Sequence, residues 1–179
     1  MKKVVLFLAS AVLLWGANLE TKTLESRCEN KNAKSCFELG NKYQEGKNYQ
    51  KAGEFYKRAC ELKDGDGYYG LGLLYYDGNG VEQDAKKAKE LFEKSCDLGH
   101  AAGCNSLGMM LHSGKYVEKD QKRASKLFIK ACEMDFGDGC HNLGVIYFEA
   151  KGDKNLAKKY FGKSCELGND EDCQIYNGL

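Results

Sequence analysis

Eight of the nine cysteines fall into four couples of one spacing: Cys28 and Cys36, Cys96 and Cys104, Cys132 and Cys140, Cys165 and Cys173. Thiols recurring at a fixed interval either oxidise to disulfides or ligate a soft metal. Structural zinc sites take closer pairs, about two to four residues apart. Eight residues along one helix span about 12 Å, whereas a disulfide needs Cα atoms within about 7 Å. Bonded couples therefore require the chain to reverse between them. Glycines stand where that reversal would fall: Gly99 and Gly103, Gly137 and Gly139, Gly168. Disulfides are the expectation, and each would staple the end of one helix to the start of the next. Cys60 is left over, with Tyr68 at its partner position. It reads either as a buried free thiol or as an intermolecular bridge.

The other groups capable of chemistry are sparse. A hydrolytic zinc site would need most of the three histidines, His100, His112 and His141, to converge around an open coordination position. His112 falls near the end of one expected helix and His141 near the start of its equivalent, about 10 Å apart along the axis. Each reads as a surface or groove residue, and no metal or other cofactor is expected. Gly65-Asp66-Gly67 and Gly78-Asn79-Gly80 read as helix-hairpin turns, not phosphate loops.

The elements that position these residues are repeats. Cys60, Cys96, Cys132 and Cys165 align. Eight residues before each stands Ala52, Ala88, Ala124 or Ala157, and four before stands Tyr56, Phe92, Phe128 or Phe161. Positions i, i+4 and i+8 share one helical face, so each block is an amphipathic helix B. A helix A precedes it, marked by Leu39-Gly40, Leu71-Gly72, Leu107-Gly108 and Leu143-Gly144. A glycine recurring in mid-helix costs about 1 kcal/mol and points to close helix packing. The turns are Asp77-Gly78-Asn79-Gly80-Val81 and Ser113-Gly114-Lys115-Tyr116-Val117, with Asp84 and Asp120 as N-caps. The first and fourth copies have shorter turns, Gly46-Lys47-Asn48 and Lys151-Gly152-Asp153. The fold class is thus all-α, an α/α solenoid of about four helix pairs over 33–168. A partial helix in 18–32 precedes the pairs, and a terminal partial helix in 169–179 follows them.

The string Cys-x-x-Leu-Gly-x-x-Tyr, then Gly-x-Gly-Val-x-x-Asp, then Lys-Ala-x-x-x-Phe-x-Lys-x-Cys-x-Leu-Gly resembles the Sel-one-like repeats, relatives of the tetratricopeptide repeat. Residues 68–99 carry it almost completely, with Tyr68 in place of cysteine, and 104–134 and 140–168 carry it with small changes. With its cysteine couples the chain looks like the Helicobacter cysteine-rich proteins. That resemblance implies a protein- or peptide-binding scaffold with an adaptor or host-interaction role. The alternative it carries is a weak β-lactamase or penicillin-binding hydrolase. None of the serine β-lactamase strings Ser-x-x-Lys, Ser-Asp-Asn or Lys-Thr-Gly occurs here, so no catalytic residue is assigned. By analogy with tetratricopeptide arrays, helix A lines the inner face. Its groove positions are Phe37, Asn41 and Gln44; Tyr69, Leu73 and Tyr76; Asn105, Met109 and His112; His141, Val145 and Phe148. Leu73, Met109 and Val145 are the ones most readily explained by repeat packing.

Composition sets the remaining bounds. The 179 residues are 42% hydrophobic and 30% charged, with 21 glycines and no proline, so the chain is globular and glycine must supply its turns. Met1-Lys2-Lys3 followed by the apolar run Val4–Ala17 reads as a signal peptide over 1–17. Its removal leaves 25 basic against 26 acidic side chains, no excess with which to bind nucleic acid. The mature chain is expected to be periplasmic or secreted, monomeric and free of the membrane.

Overall fold

A computed structural model describes residues 19–150 and 152–179. The expected signal peptide, 1–17, lies outside the described residues. Ten helices follow one another, and no strand occurs among the described residues. Helix α1 covers residues 19–29. The A helices are α2 (Ala33–Glu45), α4 (Gly65–Asp77), α6 (Ala101–Ser113) and α8 (Gly137–Val145), the last running into a π-turn, Ile146–Ala150. The B helices are α3 (Tyr49–Glu61), α5 (Ala85–Asp97), α7 (Gln121–Glu133) and α9 (Lys154–Glu166). A terminal α10 (Asp170–Gly178) stands at the next A position. Each helix packs on its neighbours in sequence, as in a solenoid. No described helix is long and apolar enough to cross a membrane.

The helices start where short polar side chains satisfy free N–H groups. Asp84 accepts from the Lys87 amide and Asp120 from that of Arg123. Asn32, Asn48, Asp64, Asp153 and Asn169 cap their helices the same way. Each such cap contributes about 1 kcal/mol.

Within a pair, the Leu-Gly glycine seats the B-helix aromatic. A Cβ on Gly72 would lie 2.7 Å from the Phe92 ring, on Gly108 2.6 Å from Phe128, and on Gly144 2.7 Å from Phe161. Tyr56 fills the same place over Gly40. The rings are almost fully buried, and the alanines one turn before them are completely so.

Between pairs, one turn recurs five times. The residue three after the B-helix cysteine position is left-handed: Lys31 (φ 61°), Lys63 (59°), Gly99 (82°), Asp135 (57°) and Gly168 (98°). Its amide bonds the cysteine carbonyl, and the next amide reaches the carbonyl just before the cysteine, as His100 N–H does to Ser95 O at 3.0 Å. This is a Schellman reversal. Gly99 and Gly168 stand at the turn as expected, but Gly103, Gly137 and Gly139 do not. They lie inside α6 and α8, where Gly103 and Gly139 let Ser95 and Ala131 approach. Gly65-Asp66-Gly67 is likewise the first turn of α4, with Gly67 against Ala59, and only Gly78-Asn79-Gly80 is a hairpin turn.

The reversal brings the couples together. Cys28–Cys36, Cys96–Cys104, Cys132–Cys140 and Cys165–Cys173 are disulfides, with Cα separations of 4.7, 4.5, 4.7 and 4.7 Å. Neighbouring junctions are also tied together by lysines. Lys130 Nζ donates to the Cys96 carbonyl and Lys163 Nζ to that of Cys132, each at 2.8 Å.

Two outcomes are expected. Replacing Cys96 and Cys104 together by serine lowers stability by about 2–3 kcal/mol in denaturant titrations while the helical signal is kept. Gly108→Ala costs about 1–3 kcal/mol, because the new methyl must displace the Phe128 ring in a filled core.

Candidate functional site

Successive A helices touch one another, α2 with α4, α4 with α6 and α6 with α8, and so form one continuous rank. The residues expected along this face meet different fates. In the first pair, the Tyr56 hydroxyl donates to Asn41 Oδ1 at 2.7 Å and lies 3.0 Å from Gln44 Oε1, and Phe37 packs on the same ring at 5.7 Å between centroids. Burial, then the nearby Glu45 carboxylate, pushes that phenol up to about 12. These polar groups are therefore occupied within the chain.

In the second pair, Tyr69 leans on Phe92 and His100, and Tyr76 on Phe92 and Tyr116. Leu73 packs against the main core cluster. His100 serves α6 itself: Nδ1 accepts the Gly103 amide at 3.1 Å and Nε2 faces Asp66 at 2.8 Å.

The third and fourth pairs carry the polar part of the face. Asn142 Nδ2 donates to Asn105 Oδ1 at 2.9 Å, an amide link from α8 to α6. His141 Nδ1 lies 2.8 Å from the fully buried carboxylate of Asp172, which joins α8 to α10. Met109 and Phe148 are exposed, at 47% and 45%. His112 and Val145 line a cavity of about 340 Å³ between α6, α7 and the π-turn. The Nδ1 atom of His112 is buried there without a hydrogen-bond partner among the described residues. No group of three His, Cys, Asp or Glu suited to a metal occurs among the described residues.

The face thus unites Asn105 with Asn142, and His141 with Asp172, and leaves Phe37, Asn41 and Gln44 in internal contacts. Sequence reasoning missed Asn142 and Asp172. Asp172 had a signal, since it stands where three other junctions have Gly67, Gly103 and Gly139.

Cys60 is a free thiol and is buried. Its pKa is pushed up to about 12, by burial first and then by the Asp64 carboxylate.

Fold and clamps together define a disulfide-stapled α/α solenoid. Residues 65–100 and 101–136 match the Sel1 repeat, and residues 33–66 and 137–170 match the tetratricopeptide repeat. The Helicobacter pylori cysteine rich protein B is 34% identical, over 68% of this chain and 90% of that one, with a TM-score of 0.55. The chain belongs to the Sel1-like cysteine-rich repeat proteins. Helicobacter pylori HcpC, which carries a beta-lactamase name, is 42% identical over 48 residues, 27% of this chain but only 17% of that protein's length. A protective antigen of uropathogenic Escherichia coli with an SLR fold, c5321, superposes with a TM-score of 0.77 at 26% identity, over 88% of this chain and 36% of that one.

The Cys60 thiol is expected to resist alkylation at pH 8 in the folded protein and to react at once in denaturant. A folded pKa above the unfolded one means that only the unfolded chain ionises as pH rises past the ordinary thiol value, so Cys60 lowers stability above about pH 9. Cys60→Ser removes that loss, which alkaline denaturation curves of the two proteins would show.

Proposed function

We propose that the protein is an exported scaffold that binds a protein or peptide partner along the A-helix face of its last two repeats. One observation carries this reading. The rank of helices that carries the Asn105–Asn142 amide link also leaves two large apolar side chains, Met109 and Phe148, about half exposed. Aromatic and thioether groups beside fixed amides are what an interface uses to fill pockets and hold a peptide backbone. Repeat arrays of the Sel1 and tetratricopeptide kind serve as such surfaces.

Four disulfides in one small chain belong to an oxidising compartment. That chemistry and the Helicobacter relatives support a place in the periplasm or outside the cell, and the apolar leader supports export. We take the working form to be a monomer. The beta-lactamase name of HcpC belongs to a protein of which this match spans a small part, and it is not carried over.

The test is affinity capture from an envelope extract of the source organism, followed by mass spectrometry. Met109→Ser with Phe148→Ser should reduce recovery of the specific partner about tenfold or more, a hot-spot loss, with an unchanged circular dichroism spectrum. Full recovery with this double variant would remove the A-helix face as the binding surface.

A further inference from the structure

The cavity beside His112 is the uncovered version of a site that the chain covers elsewhere. In the second repeat, the turn after α4 folds back over the first turn of α3. A Cβ on Gly80 would lie 2.6 Å from Tyr49 Cβ and 2.9 Å from the Gln50 amide, and Val81 packs on Ala52, Tyr56 and Leu74. In the third repeat the equivalent turn places Tyr116 on Tyr76, at 6.2 Å between centroids, and Val117 against the core that contains Ala88. The residue facing each turn compensates in size: Tyr49 stands opposite Gly80, and Ala85 stands where Tyr116 replaces it.

The fourth repeat has no such turn. Cys132 to Cys165 spans 33 residues against 36 in the two preceding copies, and the Gly-Val segment is what is missing. The first turn of α7, with Gln121 and Lys122, is therefore left open among the described residues. His112, the counterpart of Tyr76, lines the notch without a ring such as Tyr116 laid on it. Ile146 forms the apolar floor.

The charge has changed with the opening. Lys126 stands where the first two B helices have Glu54 and Glu90. Lys122 and Lys126 both line the notch, and neither makes an ion pair among the described residues. In both covered copies the inserted valine is followed by an acidic residue, as Val81-Glu82 and Val117-Glu118.

We propose that this notch docks an acidic peptide segment of another protein that presents a β-branched aliphatic side chain followed by glutamate. The aliphatic group takes the place of the missing valine. The glutamate meets Lys122 and Lys126. This inference rests on the scaffold reading and gives that partner a chemistry.

The probe is a fluorescent, end-capped peptide with the sequence of residues 78–84, Gly-Asn-Gly-Val-Glu-Gln-Asp, titrated by anisotropy against the full chain. Saturable binding is expected. It should weaken about tenfold in Lys126→Glu, which restores the residue of the first two repeats on an exposed position, and about as much when the peptide's valine becomes serine. A second variant, with residues 150–153 replaced by the sequence of 78–84, should cover the notch and abolish binding. Absence of saturation, or equal binding by Lys126→Glu and the parent, would overturn the proposal. So would concentration-dependent dimerisation abolished by Lys126→Glu, which would assign the notch to a second copy. A partner whose capture depends on Met109 and Phe148 but is indifferent to Lys126→Glu would sink the notch and leave the scaffold reading standing.

Discussion

A left-handed residue three positions after each B-helix cysteine position is the constraint from which the rest of the structure follows. Without it, residues eight apart would sit on one rod, too distant to bond. With it, the backbone closes two hydrogen bonds, the next helix folds back, and the two sulfurs meet. The α3–α4 junction shows that the turn does not need the sulfur bridge. Lys63 adopts the same left-handed conformation, and Asp64 N–H reaches Ala59 O at 3.1 Å, although Cys60 faces no thiol. The disulfides lock a reversal that capping and packing already specify.

The repeat packs by pairing absences with rings. Each Leu-Gly glycine receives one aromatic from its own pair, and the small residues at Gly67, Gly103 and Gly139 receive the preceding B helix. That division explains why the chain tolerates so many helical glycines, each costing about 1 kcal/mol in propensity: the close approach buries a ring and aligns the lysine that reaches the previous junction's carbonyl. Where a repeat departs from the pattern, the departure has a local answer. Tyr56 in place of phenylalanine finds Asn41 and Gln44, and Asp172 in place of glycine finds His141.

Most of this architecture was legible in the residues. The Ala-aromatic-Cys stripe gave the B helices, the Leu-Gly pairs gave the A helices, and Asp84 and Asp120 gave two helix starts, because each pattern expresses a single local rule repeated in register. The junction turns were less legible. Glycine is the usual left-handed residue, and Gly103, Gly137 and Gly139 stand between the cysteines, whereas it is Lys31, Lys63 and Asp135 that take the conformation and close the turn's hydrogen bonds. The π-turn at Ile146–Ala150 has no short-range signature. The candidate face was legible only as positions on a helix. Whether a side chain there is spent inward, as Asn41 is, or linked across the array, as Asn105 is, depends on contacts between residues far apart in sequence.

The one junction that lacks a sulfur bridge gives the array an uneven response to its redox surroundings. In a stacked chain of nearest-neighbour couplings, opening starts at the least reinforced one. While the thiols are oxidised, the boundary between α3 and α4 is the one without a covalent tie, held by its turn, by Ala59 against Gly67 and by Tyr56 and Leu74 packed together under Val81. Under a reductant the four other boundaries lose their reinforcement and this one loses nothing. A reductant therefore changes the balance among the boundaries, and the one it leaves unchanged is the one that never relied on sulfur.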